Sequence, residues 1–177
     1  MRIISGKFKG KIIQAPARLP VRPTTDFAKT GLFNILNNHI DFESVSVLDL
    51  FCGTGNISYE FISRGCSDIT AVDADGGCVK FVKETFEKLG EGDLRVIRSE
   101  VFKFLDMSHR TYDIIFADPP FEMEETDKIP DVIRDKNLLK EGGWLVLEHL
   151  SKRKLTSAWQ PGETRVYGNC AFSLFKL

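Results

Sequence analysis

The chain predicts an α/β fold, a doubly wound, mainly parallel seven-stranded sheet with an N-terminal β-hairpin extension. Three observations lead there. From residue 45 on, short runs rich in Val, Ile, Leu and Phe alternate with segments whose apolar residues repeat at helical spacing, as in βα units on a parallel sheet. The first run empties into Cys52-Gly53-Thr54-Gly55, a glycine-bearing turn between strand and helix. The last two runs, 164–167 and 171–177, flank Gly168 and read as an antiparallel pair. A chain of 177 residues suffices for one substantial core.

Residues 1–23 are expected to form a basic hairpin extension and residues 24–177 the α/β domain. In the extension, Arg2-Ile3-Ile4 and Lys11-Ile12-Ile13 are β-type runs around a turn region holding Gly6 and Gly10. Pro16, Pro20 and Pro23 keep the following chain extended. Thr24, Thr25 or Asp26 caps a helix with Leu32, Ile35 and Leu36 at helical spacing, ending near His39. Gly31 weakens that helix by about 1 kcal/mol relative to alanine, which predicts close packing against a neighbour. Strand 45–51, helix 56–64, strand 69–73, helix 76–89, strand 94–98, short helix 101–105 and strand 112–117 follow. The polar segment 122–140 holds a further helix, with Pro130 suited to its first turn, and 144–149 is the fifth strand.

A composition of 42% hydrophobic and 28% charged residues is that of a soluble globular protein. No apolar run reaches the roughly 18 residues of a membrane span, and the N-terminus lacks an apolar leader, so a cytoplasmic protein is expected. Cys52, Cys66, Cys78 and Cys170 form no C-x-x-C, which argues against zinc or a disulfide framework and for a reducing compartment. The net charge of −1 argues against a general nucleic-acid binder, but its distribution is uneven. No acid precedes Asp26, whereas Arg2, Lys7, Lys9, Lys11, Arg18 and Arg22 are basic, and Lys152-Arg153-Lys154 form a second cluster. A basic arm on a near-neutral body points to a polyanion met at one face; the plain alternative is a solvated lysine-rich hairpin.

In such sheets ligands bind beyond the carboxyl ends of the strands. There the first strand carries Asp49 and runs into Gly53 and Gly55, which let the backbone approach a ligand closely. The second ends in Asp73, placed to accept two ribose hydroxyls. The third ends near Ser99-Glu100-Val101, a border for an adenine, and the fourth in Asp118-Pro119-Pro120-Phe121. Asp118 suits the N–H of an exocyclic amine, the prolines stiffen the turn, and Phe121 offers a face for a base. Alone, an acid before two prolines is more simply a capped strand end. A nicotinamide dinucleotide would share Asp73, yet Ser58 stands where its fingerprint has a third glycine. S-adenosylmethionine accounts for Asp49, the glycine turn, Asp73 and the 118–121 motif together.

The segments D-L-F-C-G-T-G at 49–55 and D-P-P-F at 118–121 are similar to those of class I amino-methyltransferases, which have a Rossmann-like sheet. The opening M-R-I-I-S-G-K-F-K-G-K, R-P-T-T-D at 22–26, L-F-N-I-L at 32–36, the stretch 138–149 and Tyr167-Gly168-Asn169 resemble the RsmD-type guanine-N2 methyltransferases of small-subunit (16S) ribosomal RNA. That resemblance covers nearly the whole chain. It implies cofactor contacts at Gly53 and Gly55, ribose contacts at Asp73, adenine-side contacts around Glu100 and Val101, and Thr24 and Thr25 near the methionine end; Asp49, Phe51 and Ala74 are also expected among the cofactor-binding positions. The basic residues expected to contact RNA are Arg2, Lys7, Lys9, Lys11, Arg22 and Lys29, with ribosomal RNA, free or within a partly assembled small subunit, as partner. The sequence departs from the family in lacking an arginine-rich continuation after residue 26, where only Lys29 is basic, and in having Glu100 where aspartate is common.

The implied chemistry is alignment. A guanine amine is a poor nucleophile because its lone pair is delocalised into the ring. Hydrogen bonds to Asp118 and the Pro119 carbonyl favour a pyramidal nitrogen facing the methyl donor. Two other classes fit less well: an amino-methyltransferase for DNA or protein glutamine, and a non-catalytic RNA- or partner-binding module. Sequence-selective DNA would call for a target-recognition domain that is not obvious here, glutamine-modifying relatives usually carry N-P-P rather than D-P-P, and a non-catalytic module leaves Asp49, Gly53, Gly55, Asp73 and Asp118 without a use.

Overall fold

A computed structural model describes residues 1–17, 19, 24–90 and 93–177. Seven strands form one sheet in the order β3-β2-β1-β4-β5-β7-β6. They are β1 (Ser46–Leu50), β2 (Asp68–Asp73), β3 (Asp93–Arg98), β4 (Tyr112–Ala117), β5 (Leu139–Leu150), β6 (Glu163–Tyr167) and β7 (Cys170–Lys176). The first five pair in parallel; β7 is antiparallel to both β5 and β6. The order reverses between β1 and β4, the kind of switch point beyond whose strand carboxyl ends such sheets bind ligands.

Strand β1 is buried at every position because both sheet faces are covered, so it reads as a continuous apolar run broken only by Asp49. On one face Val47, Ile114, Phe116, Val146 and Phe172 pack against α1 (Asp26–Leu36) and α2 (Asn56–Ser63). On the other, Leu48, Ile115, Leu145 and Phe175 pack against α4 (Val101–Met107) and α5 (Ile129–Asp135). Helix α3 (Gly76–Leu89) ends at Gly90 in the left-handed conformation that glycine tolerates, φ 70°.

Thr25 caps α1, its hydroxyl accepting from the Ala28 N–H at 3.2 Å. A Cβ on Gly31 would stand 2.2 Å from the Tyr167 ring, so the glycine admits β6 against α1. Strand β5 starts earlier than the apolar run does, because Leu139 pairs with Tyr112 across a register shift before Trp144 meets Ile114. Helix α1 ends at Leu36; His39 lies beyond it, its ring 5.1 Å from that of Trp144 and tilted by 32°.

The N-terminal hairpin joins its strands through the single bridge Arg2–Ile12. Ile3 and Ile13 are buried in the core cluster of α1 and α2. Its backbone is tied to α2: the N–H groups of Ile4 and Ser5 donate to Glu60 at 2.9 and 3.1 Å. Lys7 N–H donates to the Ser63 carbonyl at 2.6 Å and Phe8 N–H to the Ser63 hydroxyl at 2.9 Å. Among the described residues no helix is long and apolar enough to cross a membrane.

Candidate active site

Four neighbouring parallel strands place acids at or near their carboxyl ends: Asp49 on β1, Asp73 on β2, Asp118 just after β4 and Glu148 on β5. Between β1 and α2 the chain turns sharply. Phe51 has φ 61°, Gly53 51° and Gly55 82°. A left-handed phenylalanine is costly and is held by its surroundings, as strained residues at ligand sites are. Gly55 has no tolerable substitute, since a Cβ would also stand 2.7 Å from the Tyr59 ring. The Asp73 carboxylate accepts from Gly53 N–H and Asp75 N–H, both at 2.8 Å, and so clasps the turn to the end of β2.

Asp49 is 1% exposed and accepts a 2.5 Å hydrogen bond from Ser58 Oγ. Ser58, the residue that breaks a dinucleotide fingerprint, thus serves the acid before the turn. Burial pushes the Asp49 carboxyl up to about 7, the Ser58 hydrogen bonds opposing and Asp73 adding to the shift. Asp118 continues β4, its N–H donating to the Leu50 carbonyl at 3.3 Å. Its carboxyl lies well above the ordinary range, through burial first and then the charges of Glu148 and Asp49. The following loop is braced: Met123 N–H donates to the Pro120 carbonyl at 2.9 Å, and Arg153 reaches the Met123 and Glu124 carbonyls at 3.1 and 3.2 Å.

Glu148 was not singled out by the sequence. Its signal is an acid ending an apolar strand beside another such strand, legible only once β4 and β5 are known to be neighbours. It is 4% exposed, and its Oε2 accepts from Thr24 Oγ1 at 2.8 Å. The Thr24 carbonyl accepts from Asn56 Nδ2 at 2.9 Å, and Asn56 Oδ1 accepts from Lys29 Nζ at 2.8 Å. Lys29 Nζ also donates to the Arg2 carbonyl at 2.7 Å and pairs with Glu60 at 3.4 Å. A polar chain thus runs from the acid on β5 to the carboxylate on which the hairpin docks.

The profile of the family described as Conserved hypothetical protein 95 matches residues 1–176. This chain belongs to that family. It is 29% identical over 188 residues to ribosomal RNA small subunit methyltransferase D of Escherichia coli K12, covering 99% of this chain and 89% of that protein. A hypothetical protein of Thermus thermophilus superposes with a TM-score of 0.87 at 28% identity, covering 100% of this chain and 99% of that one. The fold recurs, with a TM-score of 0.65 and 18% identity over 89% of this chain and 45% of the other, in a Thermus thermophilus 16S rRNA N2 G1207 methyltransferase in complex with AdoMet and guanosine. The architecture, a Rossmann-like seven-stranded α/β sheet, is common to these proteins.

Of the positions expected to meet cofactor, Phe51, Gly53 and Gly55 share the turn between β1 and α2, which Asp73 clasps through the Gly53 N–H. Thr24 and Asp49 are buried, engaged with Glu148 and Ser58. Ala74 and Glu100 are exposed at the rim, while Val101 is 4% exposed in the core beside Leu48 and Leu50. Thr25 is exposed and occupied as the α1 cap. Lys7, Lys9 and Lys11 are exposed on the hairpin, and Arg2 pairs with Asp26 at 3.3 Å. Arg22 lies outside the described residues. Lys29 corrects the expectation made for it. At 1% exposed, with its ammonium committed to Asn56, Arg2 and Glu60, it faces the interior and offers RNA no surface.

Proposed function

We propose that the protein transfers a methyl group from S-adenosylmethionine to the exocyclic N2 amine of a guanine in small-subunit ribosomal RNA. The observation that carries this reading is the convergence of Asp49, Asp118 and Glu148, all raised above the ordinary carboxylate range, beside a strained glycine turn. Acids crowded in this way fit a cationic ligand, because a nearby positive charge relieves both their burial and their mutual repulsion. A sulfonium is such a cation, and among the described residues no group of His, Cys, Asp and Glu is arranged to hold a metal ion. The residues present fit S-adenosylmethionine. Gly53, Gly55 and Asp73 would hold its nucleoside and methionine portions; when bound it supplies an electrophilic methyl on a sulfonium.

The chain's own residues do the rest. Asp118 and the Pro119 carbonyl accept the two amine hydrogens and turn the nitrogen lone pair toward the donor. The Pro119-Pro120 turn, braced by Arg153, holds Phe121 where a flipped base would stack. Exposed lysines on the hairpin meet phosphates. The E. coli relative named for ribosomal RNA supports that substrate class, and a small basic surface suits a partly assembled particle in the cytoplasm.

The test is labelled-methyl transfer to naked 16S RNA, assembled small subunits and DNA, with nucleoside analysis of the product. The expected outcome is N2-methylguanosine in RNA, with Asp118→Ala lowering transfer at least ~1000-fold while still binding S-adenosylmethionine. Label in DNA, in adenosine or in protein would overturn the reading, and an active Asp118→Ala would remove that residue from the mechanism.

A further inference from the structure

Asp118 and Glu148 are register neighbours. Ala117 pairs with Leu147 in the parallel β4–β5 ladder, so the next residue of each strand lies beside the other, on the face of Phe116 and Val146. Glu148 is held there by the Thr24 hydroxyl, itself anchored through Asn56 to Lys29. We propose that Glu148 is the proton-sharing partner of Asp118: the pair holds one proton while no positive charge lies beside it, releases it when the sulfonium arrives, and recovers one from the amine as that charge disappears. This rests on the reading that Asp118 accepts the target amine next to the methyl donor.

The balance closes. Methyl transfer makes one N–C bond and breaks one C–S bond, whose electron pair stays on sulfur. The nitrogen sheds one proton, which passes to Asp118 and is shared with Glu148. Before transfer the site holds one sulfonium charge and two carboxylates; afterwards it holds a neutral thioether and one remaining negative charge. The net charge of a buried site therefore never changes during the reaction, which avoids the cost of creating an unpaired charge in low dielectric.

The groups around the pair support sharing. From β1, Asp49 adds repulsion, and Asp73 acts in turn on Asp49. From β7, Cys170 faces Glu148 with its thiol pushed up to about 12, by burial first and then by Glu148, so it stays neutral. From the α1 side, Lys29 reaches Glu148 only through Asn56 and Thr24, its own charge being paired with Glu60. Burial raises Glu148, and the hydrogen bonds from Thr24 and Cys170 oppose that rise.

The experiment is calorimetric titration of the intact protein with S-adenosylmethionine and with S-adenosylhomocysteine at pH 7, in buffers of different ionisation enthalpy. The wild type is expected to release more protons to the sulfonium than to the thioether. Glu148→Gln, which preserves shape and the Thr24 contact, should bind both ligands and lose at least about half of that difference. Asp118→Asn, the second member of the pair, should do the same. The acid limb of the methyl-transfer pH profile should move down by about one unit in Glu148→Gln, because Asp118 loses a negative neighbour. A purely structural Glu148 would leave the proton count and this limb where they are. Equal proton release to the two ligands by the wild type, or an undiminished difference in both variants, would overturn the inference alone. Failure to bind either ligand would overturn the cofactor reading and the inference with it.

Discussion

Residue identity at Asp49 has a consequence for stability. Its ordinary value of 3.8 rises to about 7 in the fold, through burial. A raised carboxyl stabilises the fold below its unfolded value, and that contribution is lost as pH climbs toward the folded one. The protein without cofactor should therefore lose stability between about pH 4 and pH 7, by at most about 4 kcal/mol from this group. Asp49→Asn, which still accepts from Ser58, should flatten that part of the profile in urea denaturation followed across pH. An unchanged slope would mean that Asp49 is ionised throughout. At this scale the sequence was informative about residue type and silent about state. An acid before a glycine turn can be read from the order of residues, but its proton depends on Ser58, Asp73 and the absence of water, which folding alone determines.

Elements matter most where the hairpin meets α2. Its turn contributes exposed lysines, yet Ile3 and Ile13 sit in the core and Glu60 receives two of its backbone N–H groups. Glu60 is fully buried and its charge is balanced by Lys29 and by Arg64 at 3.0 Å. Lys29→Met would leave a buried carboxylate with one cation fewer and should destabilise the protein by about 3 kcal/mol, toward the low end for a broken buried pair because Arg64 remains. Chemical denaturation measures this; a loss under about 1 kcal/mol would show that Lys29 is replaceable. The periodicity of α1 was legible, as was the need for something close to Gly31. What was not legible is which way Lys29 points. A lysine after a basic stretch reads as one more surface charge, and only the arrival of Asn56 and Glu60 from α2, about 30 residues on, turns it inward.

For the whole molecule, a net charge of −1 hides an uneven distribution, with acids gathered at the carboxyl ends of β1, β2, β4 and β5 and exposed Lys7, Lys9 and Lys11 on the hairpin. Replacing these three by Gln should weaken binding to 16S RNA by about tenfold or more at physiological salt, and flatten its salt dependence, without changing affinity for S-adenosylmethionine. Unaltered RNA affinity would assign the contact to another face. The sequence by itself determined the doubly wound fold and the acids Asp49, Asp73 and Asp118 with their glycine turn, because strand and helix periods and strand-end chemistry are local properties. Only the tertiary structure decided that Glu148 joins Asp118, that Lys29 serves the interior and that the hairpin is fastened to α2. Those facts depend on which strands become neighbours and which charges lose their water, and neither is written at any single position.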